Sequence, residues 1–318
     1  MDMKRLVKKV LARWGLEIRT TRMARLQAVF EAALAEWARR DFRQELTGPF
    51  SVTGIVFSRD RAMQLHALLE SWFANARGAA RMVVLWTVSD HEHEASYREL
   101  AAHWGDKVEW VRETDFRADL SRLVESDASS HLFFLTDDGI VLRPFDLSDA
   151  LLPDPGRRVF SLCHAPDLDW CFILGKSQRV PPLRRFGQNL LAWNWTEGET
   201  GTDWNFPLSV DGKFFSRQEM SLLVRDLPFR NPNTFEQALQ VFQPLFAGRE
   251  GVCFSQAALV NVPCNAVQTQ FDNPVTGAHS TTELNARWRE GKRIAWEDFQ
   301  NLSPREAEVR NFRFVERE

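Results

Sequence analysis

Residues 131–139 read HLFFLTDDG, a run of Leu and Phe that stops at Thr136, Asp137, Asp138 and Gly139. A short apolar run closed by a turn dipeptide predicts a strand buried on both faces of a sheet, and Asp-Gly predicts the turn that ends it. The same texture recurs towards the N-terminus. SVTGIVFS (51–58) and RMVVLWTV (81–88) are two further apolar strands, and Val108 to Val111 is a shorter one. Between them lie helical patterns. Arg61 to Ala74 puts Met63, Leu65, Leu68, Leu69 and Trp72 on one face, and Ser96 to Trp104 and Arg117 to Ser126 complete the alternation. Strands alternating with helices at this spacing predict an α/β fold with a mostly parallel sheet flanked by helices. Ligands of such sheets sit beyond the carboxyl ends of the strands. Those ends are Ser58-Arg59-Asp60, Ser89-Asp90 and Asp137-Asp138, all polar and two of them acidic.

The texture changes after Pro155. Val159 to Cys163 reads as a strand. The stretch holding Trp193, Asn194, Trp195, Trp204 and Asn205 has little periodicity, and LSVDGKFF (208–215) reads as a strand or hairpin. Gln218 to Leu227 and Thr234 to Phe242 read as helices. Residues 1–48 form a separate helical extension, with Leu6, Val7, Val10, Leu11 and Trp14 on the first apolar stripe and Leu26, Phe30, Leu34 and Trp37 on the second. Residues 49–318 are one domain, with halves of about 49–150 and 151–318.

The 318 residues carry a formal net charge of −3, which excludes a dedicated nucleic-acid binder. Residues 1–25 are basic, with eight Lys/Arg against two Asp/Glu. This arm is either a helical cap or dimer contact, or a peripheral anchor on an anionic membrane surface. No apolar run reaches the length of a membrane span, and the four cysteines have no CxxC spacing, so buried thiols in a cytoplasmic protein are expected.

Several groups point to chemistry. Asp138 with Asp137 offers hard oxygen ligands for Mn2+ or Mg2+, or else a plain turn. Arg59, Asp60 and Arg61 open a helix and suit an anion or a nucleobase edge; the bland alternative is an Asp60 N-cap with solvated arginines. Asp90 and Arg117 would reach the same ligand from the next strand and helix, or serve as ordinary helix-start residues. Trp204 and its neighbours offer indole and amide groups to sugar rings and hydroxyls, or pack as core. Asn233 or Thr234 would cap the helix that carries Glu236, either a general base or a solvated glutamate favoured by the helix dipole. Asp211 is the second candidate base. His91-Glu92-His93-Glu94 reads as a solvated loop.

The order of these features resembles the GT-A glycosyltransferases, family-two-like members in particular. GIVFSRDRAMQLHALLESW is similar to their nucleotide-binding start and TDDG to their metal motif, with Thr-Asp-Asp in place of Asp-x-Asp. VDGKFFSRQEMSLLVRDLPFRNPNTFEQAL is similar to their acceptor-side block. DWNFPLSVDGKFF, NPNTFE and NVPCNAVQ also resemble bacterial proteins of surface-polysaccharide assembly. Over about residues 51–290 the resemblance implies transfer of a sugar from a nucleotide-diphosphate sugar to a glycan or lipid-linked acceptor. Asp138 and Asp137, with His279 as a late third ligand, would hold the metal, Arg59, Asp60, Arg61, Asp90, Arg117 and Asp137 the nucleotide, and Trp204 and Asn233 the sugar and acceptor. Glu236 would be the base of an inverting reaction, a retaining one staying open. The rivals are a sugar nucleotidyltransferase and a non-catalytic glycan- or partner-binding module on the same fold.

Overall fold

The computed structural model describes residues 51–317 except 266, 268–274 and 276–278, together with 28, 29 and 32. Apart from those three residues, the expected helical extension of residues 1–48, with its basic arm, lies outside the described residues.

Strand β1 (Val52–Arg59) is buried along all but its last residue. It pairs in parallel with β2 (Arg81–Thr87), which pairs in parallel with β3 (Glu109–Arg112). On its other side β1 pairs in parallel with β4 (His131–Thr136). Helices α1 (Ala62–Asn75), α2 (His91–Trp104) and α3 (Phe116–Ser126) make the crossovers. The rest of the chain adds β5 (Gly139–Val141), β6 (Arg158–Ser161), β7 (Arg184–Phe186), β8 (Leu190–Asn194), β9 (Lys213–Ser216), β10 (Glu250–Phe254) and β11 (Leu259–Asn261). A nine-stranded sheet of order β7-β8-β10-β6-β9-β4-β1-β2-β3 results. Within it β8 and β9 run against the other strands, so the sheet is mixed and mostly parallel, as expected. It takes strands from both halves of the chain.

Alternation along the strands splits the core into two layers, one on each face of the sheet. Val56, Phe133 and Leu135 face one layer with Trp72 and Phe214. Ile55, Phe57 and Phe134 face the other with Phe215, Phe235 and Trp193. Phe133 lies between Trp72 and Phe214, stacked at 4.9 and 4.8 Å. Gly54 makes room for it: a Cβ there would stand 2.3 Å from the Phe133 ring.

Two elements differ from the sequence reading. His91 to Glu94 is the first turn of α2, not a loop, because Asp90 accepts from the backbone N–H of Glu92 and His93 and caps the helix. His93 is buried there, with Nδ1 2.9 Å from Asp90. The segment without periodicity contains β8, whose register is set by distant β10, from Leu190 opposite Phe254 to Asn194 opposite Glu250. The four cysteines are free and buried. Among the described residues no helix is long and apolar enough to cross a membrane.

Candidate active site

The site begins at the turn leaving β1. Asp60 takes a left-handed backbone, φ 56°, uncommon for a residue with a side chain. Its buried carboxylate accepts from Ser89 N at 2.7 Å and ties the ends of β1 and β2 together. This turn sends Arg61 inward. Arg61 Nη1 donates to Asp137 Oδ1 at 2.9 Å and reaches Asp138 Oδ2 at 3.4 Å, while Nε donates to Asn265 Oδ1 at 2.8 Å and Nη2 to the Asn265 carbonyl. The second Asp137 oxygen accepts from Ser58 Oγ at 2.9 Å and from Arg59 N at 3.2 Å. Burial pushes the Asp137 carboxyl up to about 6, against the pull of Arg61. Burial also works against the Arg61 charge, but Asp137 and Asp138 outweigh it and hold the guanidinium protonated.

Opposite stands the turn before β9. Gly212, φ 65°, has no room for a Cβ, which would lie 2.7 Å from Leu259. The preceding Asp211 accepts from Thr136 Oγ1 at 2.9 Å, so it stands beside the Asp137-Asp138 turn. Burial first, and Asp138 second, raise its carboxyl. Helix α4 (Arg217–Asp226) leads to α5 (Pro232–Leu239), whose cap is Asn231 rather than Asn233 or Thr234: Asn231 Oδ1 accepts from Thr234 N at 2.9 Å. The cap aims Glu236 at the site rather than at solvent. Its Oε1 accepts from Val210 N at 3.1 Å, and burial together with Asp211 raises its carboxyl to about 7. Lys213 lies close to these carboxyls. It is buried, donates to the Phe206 carbonyl, and its ammonium has a lowered pKa, chiefly through burial.

These elements enclose a cavity of about 590 Å3 beyond the carboxyl ends of the parallel strands. Arg59, Arg61, Asp137, Asp138, Asp211, Asn233 and Glu236 all line it. The other residues singled out in the sequence do not. Asp60 braces the β1 turn, and Asp90 caps α2. Arg117 donates to the Arg225 carbonyl at 2.9 Å and borders a neighbouring hollow. Trp204 is fully buried, its indole N–H donating to Leu168 O at 2.7 Å and its ring edge-on to His164 and Trp193, so no ring face is open to a sugar. His279 pairs with Glu283 at 2.9 Å and packs on Phe312 and Phe314.

The cavity also holds Asp203, from the aromatic- and amide-rich run, together with Glu113, Lys213, Arg230 and Glu308, which the sequence reading passed over. Glu113 directly follows β3, so the strand-end rule that marked Asp90 would have found it. Lys213 follows the Asp211-Gly212 turn within the acceptor-like block. Glu308 carries no local signal.

The residues at the Asp137-Asp138 turn fit a metal only in part. Both oxygens of Asp137 already accept from protein donors, so Asp138 is the freer of the two carboxylates. Among the described residues the Asp138 side chain meets only the 3.4 Å Arg61 contact, and it lines the cavity. Among the described residues no group of three His, Cys, Asp or Glu is placed to hold a metal ion. One carboxylate suffices for Mg2+ when phosphate oxygens and water supply the other positions.

No protein-family model and no curated protein matches the chain. Solved structures similar to it include TarS of S. aureus in complex with UDP (13% identity over 66% of this chain and 59% of that one, TM-score 0.43). The mannosyltransferase PcManGT of Pyrobaculum calidifontis in complex with GDP-Man and Mn2+ is another (20% over 46% and 47%, TM-score 0.32). A third is a nucleotidyl transferase from Methanothermobacter (13% over 65% and 88%, TM-score 0.39). The chain spans 36%, 47% and 59% of the first three solved structures it matches. At these scores nothing of their chemistry is carried over to this chain.

Proposed function

We propose that this chain is a GT-A-type glycosyltransferase that moves a sugar from a nucleoside-diphosphate sugar to a hydroxyl of a glycan or lipid-linked acceptor. One observation carries the reading. Asp138 and Glu236, far apart in sequence, line one cavity at the carboxyl edge of the sheet, and Glu236 has a carboxyl raised to about 7. A base poised near neutral pH suits removal of an acceptor hydroxyl proton.

The nucleotide lies across the ends of β1, β2 and β3, over Phe57, Leu85 and Phe116, with Arg59 beside it. Asp138 would hold a divalent ion at the diphosphate-binding end of the cavity. When bound, that ion neutralises the charge growing on the leaving diphosphate. Asp137 takes no direct part; with Arg61 it fixes the turn that presents Asp138. Glu236 accepts the acceptor proton as the acceptor oxygen bonds to the anomeric carbon and the bond to the diphosphate oxygen breaks. Asp211 hydrogen-bonds to Thr136 and stands near Glu236, whose hold on a proton it strengthens. Asn233, at the second position of α5, lines the acceptor side.

Surface-polysaccharide assembly at the inner membrane face is the setting we assign, on the sequence resemblance and the basic residues 1–25. The test is binding of UDP, GDP and dTDP with and without Mn2+, followed by sugar release from the conjugate that binds. Metal-dependent binding of one nucleotide with turnover supports the assignment. No binding with any of them, together with no turnover, overturns it.

A further inference from the structure

Glu308 is one of three cavity carboxyls, with Glu113 and Asp203, that the chemistry above leaves unused. It belongs to the segment beyond α6 (Thr281–Arg289), and two successive pairings carry it to the site. Strand β11 pairs antiparallel with β5, setting Asn261 opposite Gly139, directly after the Asp137-Asp138 turn. The C-terminal segment then forms a parallel bridge to the same residue: Asn261 N donates to Ala307 O at 2.9 Å and Val309 N donates to Asn261 O at 2.8 Å. Glu308, held between those two bonds, lines the cavity near Asp138, Asp203 and Asp211.

Its Oε2 is buried and has no hydrogen-bond partner among the described residues. The nearby groups are committed elsewhere. Asp203 accepts from Gln178 Nε2 at 2.7 Å, Asp211 from Thr136, and Lys213 donates to the Phe206 carbonyl. A buried polar atom left unsatisfied destabilises a fold, so a donor that arrives with a ligand is the physical complement of this oxygen. The ring that follows the diphosphate would lie past Asp138, on the Asp211 side, where Glu308 stands.

Resting on the reading of the preceding subsection, we propose that Glu308 hydrogen-bonds a hydroxyl of the transferred sugar, so that the C-terminal segment reads the sugar and not the nucleotide.

The experiment is calorimetric titration of the full chain, wild type, Glu308→Ala and Glu308→Gln, with UDP, GDP and dTDP and with their hexose conjugates, in Mn2+. Glu308→Ala should bind the bare diphosphate as the wild type does and lose about tenfold in affinity for the conjugate, the worth of one hydrogen bond to a buried carboxyl. Glu308→Gln keeps an acceptor oxygen and should retain most of the conjugate affinity. Bare-diphosphate binding also reports that the variants are folded. An unchanged conjugate affinity in Glu308→Ala, or an equal loss for diphosphate and conjugate, overturns the inference while leaving the glycosyltransferase reading intact. Failure of the wild type to bind any diphosphate or conjugate overturns both.

Discussion

Arg61 Nη1 lies 2.9 Å from Asp137 Oδ1, and both side chains are buried. An acidic pair that looks in sequence like a two-carboxylate metal motif is thus divided by one guanidinium. Asp137 is held by Arg61, Ser58 and the Arg59 N–H, and Asp138 is the freer carboxylate of the two at the cavity. Each member of the pair has a distinct consequence.

Arg61→Ala leaves Asp137 buried without its cation. The expected loss is about 3–5 kcal/mol of stability, read from urea unfolding. A double variant, Arg61→Met with Asp137→Leu, should be more stable than Arg61→Ala alone, since the uncompensated charge is gone. Equal stability of the two variants would show that the ion pair is not the reason for the loss.

Asp138→Ala should fold with a far smaller loss of stability than Arg61→Ala and bind nucleoside diphosphates without any added effect of Mn2+. Thermal shifts with and without the metal measure this. A metal effect that survives the substitution would move the ion to another ligand.

Glu236→Gln should lower kcat by about 10^2–10^4-fold. In the wild type kcat should rise as pH passes through about 7, because the base works deprotonated and burial with Asp211 holds its proton up to that point. The stability sign is opposite. Folded Glu236 keeps a proton that the unfolded chain releases, so its contribution to stability falls as pH rises from the ordinary glutamate range to about 7. Glu236→Gln should remove that decline. A variant with full activity, or a wild-type rate flat across neutral pH, would take the base role away from Glu236.

Gly54→Ala tests the sheet beneath the site. The added methyl would stand 2.3 Å from Phe133, itself stacked between Trp72 and Phe214. Overpacking of this kind costs about 1–3 kcal/mol. Phe133→Leu on top of it should restore part of the loss, measured as a shift in the denaturant midpoint.

Much of the half from about residue 49 to 150 was legible in the chain itself. GIVFS, MVVLW and HLFFL are apolar runs of strand length bounded by polar turns, and a parallel strand buried on both faces needs that local composition. The same rule located Arg59, Arg61, Asp137 and Asp138, because the ends of such strands are where polar residues first reach a cavity. Glu236 was legible through its block, but not its burial. The Asn231 cap that turns it inward involves a residue that local pattern ranks no higher than Asn233 or Thr234.

Trp204, His279 and Glu308 mark what only the tertiary structure decided. An indole in a loop and a late histidine have residue types suited to sugar or metal, yet Trp204 is sealed behind His164 and Trp193, and His279 sits against Phe312 and Phe314. Glu308 looks like any charged tail residue until its neighbours bond to Asn261, which β11 holds opposite Gly139. The sequence by itself determined the alternating strands and helices and the polar ends of the first strands, because burial and helix period are local properties of the chain. Which carboxyl meets a guanidinium, which meets the cavity and which is left without a partner depended on pairings between segments remote in sequence, and those are settled only when the sheet assembles.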